Sequence, residues 1–486
     1  MKTGILLTTV CAMATAGTLS TVARPQGPRP GDGDQRPKAT APQQGGDDSR
    51  ETLSEASRDS DAIRKQLMIT DLRVVEDPVR TNPRSGDRAV WTFKHLMEQM
   101  AGDQDPAEFV MRWLNLWEEE QEINGSISPE RPAIRERIIN PWLHASGGKR
   151  LDLAKAPFKL LAIVNRMDLR VHVDEQVLTG GEGRFVFGVL APDGTALLPE
   201  AGPAPGGMTV IFEYELPATD MRQLGEWARL WKELERFPLD SPNYNHHLER
   251  ITRRFTETGS APSKPNGSAL NQLRSNDIAL AQPWELREFV IDGESGLLQQ
   301  NTVALTPDKI TLNGTPEFAA FINEHGADLA AGTAELDPAF FAASAMAGPF
   351  LLTDFPDWES RTFTTNVLFD PFYDVPWSAE GIDNNDVRHA FALNTCNGCH
   401  RAETGTGFLQ IGFPSENDLP KTLKHPAALA GFLTGIEVPD PVEPDTIRTF
   451  GDLERRLTDF NVLTASFGND GRGRGPRGAH IPRFVH

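Results

Sequence analysis

Cysteine is nearly missing from this chain, with three in 486 residues, Cys11, Cys396 and Cys399. So few thiols exclude a disulfide framework. Uninterrupted apolar stretches are missing too: none approaches the roughly 18 residues of a membrane-spanning helix. Basic residues are in deficit, 48 Lys and Arg against 68 Asp and Glu, a net charge of −20. That balance disfavours non-specific attraction to nucleic acid or to anionic lipid. No nucleophile elbow, no HExxH and no convincing pair of catalytic carboxylates is found, so the familiar hydrolase signatures are missing as well.

What is present begins with "MKTGILLTTVCAMATAGTLSTVA", one Lys, an apolar core from Ile5 to Ala16 and small residues ending at Ala23. This is the layout of a secretory signal, expected to span 1–23 and to be removed near Ala23. Reading Cys11 as a lipidated residue is disfavoured, because Val10 stands where a small residue is wanted. Residues 24–61 are rich in Pro, Gly and charge and poor in apolar side chains, a composition that reads as a disordered tether. The mature protein is thus expected in the periplasm or secreted, with no transmembrane segment and no nucleic-acid partner.

From 62 to 380 helical and strand patterns alternate. Val90, Phe93, Met97 and Met100 recur at helical spacing. Asp105, Pro106 and Glu108 form a capping box that opens a helix with Phe109, Val110, Trp113 and Trp117 on its apolar face. "KLLAIV" at Lys159, "RFVFGVL" at Arg184 and "MTVIFEYEL" at Met208 are short apolar or alternating runs bounded by Gly and Pro, as in antiparallel strands. Helices are expected over Met221 to Phe237 and Asn243 to Phe255. Further strands are expected at Glu288 to Ile291 and around Val303 and Ile310, then a helix capped by Thr315. The fold class expected is α+β: a central body of helices and antiparallel sheet, followed over 381–486 by a mainly helical domain with a basic Gly/Arg tail. Asp386 is expected to cap a helix running through Arg388 and Phe391 toward the cysteines.

Outside the leader the only cysteines stand two residues apart, in "LNTCNGCHRAE", with His400 directly after Cys399. An exported chain that keeps two thiols at this spacing uses them for local chemistry. Two thiols so placed can add to the two vinyl groups of a haem, and the following imidazole reaches the iron from one face. "CNGCHRAETGTGFLQIGFP" resembles the haem-attachment segment of c-type cytochromes. That resemblance implies one covalent haem c, with Cys396 and Cys399 as thioether anchors and His400 as proximal iron ligand. It also makes Pro414 the counterpart of the proline whose carbonyl orients that imidazole. The rest of the chain resembles uncharacterised exported bacterial proteins, which brings no activity with it.

The pattern departs from small electron-transfer cytochromes in one respect: the last Met is Met346, so none follows His400. A distal His, a Met reaching back from the body, or an open iron position are the alternatives. His425, in "KHPAALAGFLTG", is the distal candidate, placed at an expected helix start with Gly435 as its stop. His389 falls on the proximal side, and His480 and His486 lie in the Gly/Arg tail. The function implied is haem binding and electron transfer with a redox partner protein. The rivals are a haem enzyme of peroxide or oxygen chemistry, and a haem-free CxxC that forms a disulfide or shares a metal with His400.

Other constellations carry less. Arg388 and Arg401 flank the motif, as propionate partners or as surface residues. His246 and Glu249 share one helical turn without a third metal ligand. Asn271, Arg274, Asn276, Glu285, Arg287 and Glu288 read as a buried hydrogen-bond network between helix and sheet or, alternatively, as a substrate site.

Overall fold

Along 182–189 and 209–215 aromatic residues take one set of alternate positions and Arg or Glu the other, and a strand turns such alternation into two unlike faces. The structure is a computed structural model that describes residues 58–123, 126–199, 207–281, 286–304, 306–307, 309–331, 334, 375–395, 403–406, 409–414, 426–468, 475–476 and 479–480. Cys396, Cys399, His400, Arg401, His425 and Glu285 lie outside the described residues, as do the leader and nearly all of the tether.

Seven strands form one sheet: β1 (Met68–Ile69), β2 (Phe158–Arg166), β3 (Glu182–Val189), β4 (Thr209–Glu215), β5 (Leu270–Asn276), β6 (Leu286–Ile291) and β7 (Leu298–Asn301). They lie side by side in chain order and every neighbouring pair is antiparallel. The fold class is α+β.

One face of the sheet is aromatic. Phe185, Phe187, Phe212, Tyr214 and Phe289 are buried there under helices α1 (Phe93–Ala101), α2 (Pro106–Asn115), α3 (Met221–Glu233) and α4 (Pro242–Thr256). Phe93 stacks on Phe158 with centroids 3.9 Å apart, and Trp117 lies 4.8 Å from Phe289. The Trp residues expected in the core are fully buried. Gly183 allows the close approach of α4, because a Cβ there would run into the Phe255 ring.

Local signals start these helices. Thr92, Asp105, Asp220 and Ser241 each accept a hydrogen bond from a backbone N–H of the first turn. At α2 only half of the expected capping box forms, since the Glu108 carboxylate accepts from Arg112 instead, at 3.0 Å. Thr315 caps α5 (Pro316–Glu324) as expected. Ile310, expected on a strand, belongs to the one-turn helix Lys309–Leu312, and the strand of this region is β7.

The second face of the sheet is covered by the C-terminal segments. These comprise α6 (Asn385–Leu393), strands β8 (Ile411–Gly412) and β9 (Ala428–Leu429), strands β10 (Ile436–Pro439) and β11 (Ile447–Phe450), and α7 (Asp452–Ser466). Met68, Leu161, Val164 and Val186 from the sheet share one apolar cluster with Leu393, Phe432, Leu433, Phe450 and Leu453. The expected helix after His425 does not form: residues 428–429 pair with β8, and only Gly431–Thr434 make a helical turn before Gly435 at φ 122°. Pairing with β8 outweighs the Ala/Leu pattern of that run. Among the described residues no helix is long and apolar enough to cross a membrane.

Candidate functional site

Helix α6 leads toward the cysteine segment. Its cap is Asn384, whose side chain accepts from the N–H groups of Asp386 and Val387, so the cap lies two residues before the expected Asp386. Phe391 and Ala392 pack with Phe318 and Trp377, while Leu393 turns to the cluster against the sheet. The helix is therefore clamped from two sides just before residue 396.

Arg388 is 1 % exposed. Its guanidinium grips Glu403 with two hydrogen bonds of 2.8 and 2.9 Å, reaches Asp440 at 3.1 Å, and donates to the Trp377 carbonyl. His389 Nδ1 meets the same Glu403 carboxylate. Arg448 joins Asp440 at 2.8 Å to the exposed Asp386 at 2.7 Å. Two backbone N–H groups, of Val442 and Glu443, complete Asp440. Burial alone would raise the Glu403 carboxyl, but hydrogen bonds from His389 and Arg388 outweigh it and hold it below its ordinary value. Asp440 is likewise held down, against burial, by those N–H groups and by Arg448.

Arg388 precedes the cysteine segment in the sequence and Glu403 follows it, so their pairing joins the two flanks. The surface reading of Arg388 does not hold, because it is an interior ion-pair residue. His389, Glu403 and Asp440 bring their ligand atoms within 4.8 Å of one another, as metal ligands do. The Arg388 guanidinium, however, already sits between the two carboxylates where a cation would go, and the cluster is an ion-pair lock. His246 and Glu249 form no metal site either: Glu249 is held by Arg80 and Arg253.

The covered face of the sheet carries a second feature. Charges alternate across its strands: Arg184 on β3 bonds Glu182 at 2.6 Å and reaches Glu213 on β4 at 3.4 Å. Arg274 on β5 stands 3.5 Å from Glu213 and 2.9 Å from Glu288 on β6. Asn271 donates to Glu182 and Gln272 to Glu213. At the β2 end Arg166 pairs with Asp168, which Arg455 of α7 also binds at 3.0 Å, while Arg456 binds Asp452. Burial and the like charge of Arg166 pull Arg456 down to about 10, and burial raises Glu288 despite Arg274. Arg287 points the other way, to Asp277 and the Trp117 ring, because strand alternation sends neighbours to opposite faces. The sequence run thus supplies two buried networks, one on each face.

Between this charged row and the C-terminal segments lies a small cavity of about 90 Å³ that opens to solvent. Met68, Val164, Val186 and Ile211 form its floor, and Leu409 and Ile411 its roof. Asn276 also lines it; its Nδ2 donates to the Gly207 carbonyl at 2.9 Å, which leaves Oδ1 without a partner. Pro414 follows β8 and is half-buried, and His480 pairs in register with His172 on a separate hairpin. Glu403 and Asp440 had no signal in the sequence, since their partners are distant along the chain and burial of a charge leaves no local pattern. No protein-family model, no curated protein and no solved structure matches this chain.

Proposed function

We propose that this is an exported monohaem c-type protein that transfers electrons to or from a partner protein, with Cys396 and Cys399 as the thioether anchors and His400 as the proximal ligand. The observation that carries the reading is "CNGCH", the only cysteines outside the leader, at the spacing that two vinyl groups and one iron require. The donor set fits: two thiols for covalent attachment and an imidazole beside the second. Haem, when bound, supplies one-electron redox chemistry.

The chain's own residues support this use of the segment. Arg388 and Glu403 tie its two flanks together by a buried bidentate pair. Phe391 and Trp377 on one side, and Leu393 with Phe450 on the other, keep water from the end of α6. Holding both flanks of a cofactor-attachment segment on a rigid framework is what a preorganised site requires.

The test is expression with the leader intact in a host competent for haem attachment. Expected is a mature chain whose mass includes one haem after denaturation and reduction, with the sharp visible bands of a reduced c-type haem. An intact, folded product without haem, or one whose two thiols are recovered by reductant, overturns the proposal.

A further inference from the structure

Strand register arranges the covered face of the sheet in rows. Met68, Val164, Arg184 and Glu213 stand side by side in one row, Val186, Ile211 and Arg274 in the next, and Thr209 with Asn276 in the third. An apolar strip therefore runs between a charged row and an amide, and the small cavity lies over it with Leu409 and Ile411 above. We propose that this cavity binds a small aliphatic carboxylate, with its carboxylate group on the guanidiniums of Arg166 and Arg184 and its hydrocarbon chain on Val186 and Ile211. The assignment uses neither the cysteines nor His400 and is independent of the haem reading above.

The wall is unbalanced in charge. Four guanidiniums line it, those of Arg166, Arg184, Arg274 and Arg456, against one carboxylate, Glu213. All four Arg are buried, at most 9 % exposed, so water screens them poorly. The other carboxylates that pair with them, Asp168, Glu182, Glu288 and Asp452, stand outside the wall. Arg166 bonds Asp168 through Nε and Nη2, and Arg184 bonds Glu182 through Nε. Among the described residues neither Nη1 has a hydrogen-bond partner. Burial and the like charge of Arg166 already lower Arg456, and an anion at this wall relieves that repulsion.

Size and polarity narrow the class of anion. A planar guanidinium fork matches a planar carboxylate. Most of the remaining wall is hydrocarbon, which favours an aliphatic chain over a bare inorganic anion. At the ~10–15 Å³ that one water-sized group needs, the cavity of about 90 Å³ takes roughly six to nine non-hydrogen atoms, the size of butanoate to hexanoate. Asn276, 2 % exposed in the same wall, leaves Oδ1 without a partner, an acceptor for a hydroxyl carried on such a chain.

The experiment titrates the full chain with sodium hexanoate and with hexan-1-ol, its uncharged analogue, by calorimetry. Expected is saturable one-to-one binding of hexanoate, at least about tenfold tighter than that of hexan-1-ol. Arg184→Lys keeps the charge but loses the planar fork, and should weaken hexanoate about tenfold while leaving hexan-1-ol unchanged. Ile211→Phe fills part of the cavity and should weaken both ligands alike. Far-ultraviolet circular dichroism matching the wild type certifies the fold of each variant, and the comparison of the two ligands on the wild type decides by itself where a variant does not fold. No binding of hexanoate, binding no tighter than that of hexan-1-ol, or hexanoate affinity unchanged in folded Arg184→Lys or Ile211→Phe overturns the proposal.

Discussion

At the scale of single residues, the cluster around Arg388 behaves as a lock whose parts depend on one another. Removing one member leaves a buried charge facing lost partners, which costs far more than a surface pair is worth. Glu403→Ala is expected to destabilise the protein by about 3 kcal/mol, because Asp440 still shares Arg388. Urea denaturation measures this, and a loss below about 1 kcal/mol would contradict a buried lock. The same carboxylates set an acid limit. Both are held below their ordinary values, 4.5 for Glu403 and 3.8 for Asp440, so the folded state binds fewer protons than the unfolded chain near those values. Their stabilisation is complete above the unfolded values and is lost as pH falls through the lower folded ones. Wild-type stability should therefore drop more steeply than that of Glu403→Gln between about pH 5 and pH 3. Parallel pH curves for the two would remove Glu403 from this role.

At the scale of elements, local chemistry and long-range packing divide the work. Asp105 and Thr315 announce their helices in the sequence because a cap needs only a side chain and the next three N–H groups. The strands at 158, 182 and 209 are legible from alternation for the same local reason. The helix expected at 425–435 fails because partners distant in sequence, Ile411 and Gly412, capture its middle. The start of α6 shows how fine the boundary is: Asn384 and Asp386 are both good caps, yet Asn384 closes the turn while Asp386 points outward to Arg448. Asn384→Ala should cost about 1 kcal/mol, whereas Asp386→Ala, whose side chain is 78 % exposed, should cost less than half of that. Equal losses in thermal denaturation would return the cap to Asp386. At the candidate site the cysteines and His400 stand out in the sequence, while Arg388, Glu403 and Asp440 come together only through the fold.

At the scale of the whole molecule, the C-terminal segments do not stand apart from the sheet. The described residues form one compact unit. Met68, Val164 and Val186 would be bared without Phe432, Leu433 and Leu453 above them. A Cβ at Gly188 would run into Phe413, so even a glycine of β3 is fitted to its cover. Arg170 holds Asp459 of α7 at 2.9 Å, and Arg455 holds Asp168, which ties the last long helix to the end of β2. The expected consequence is a single cooperative unfolding transition, with far-ultraviolet circular dichroism and Trp fluorescence changing together. Two separated transitions would show that the cover unfolds independently.

The alternating charges of the sheet also decide which wrong structures are open to the chain. Seven antiparallel strands in simple succession offer many mispairings, each a shift of one residue along a neighbour. Such a shift would carry Glu213 or Arg274 into the layer of Phe185, Phe212 and Phe289 and leave its counter-ion behind. A bare charge among aromatic rings costs several kcal/mol, so misregistered sheets are penalised strand by strand as the chain folds. The row that lines the cavity is in this sense a proofreading device for strand register.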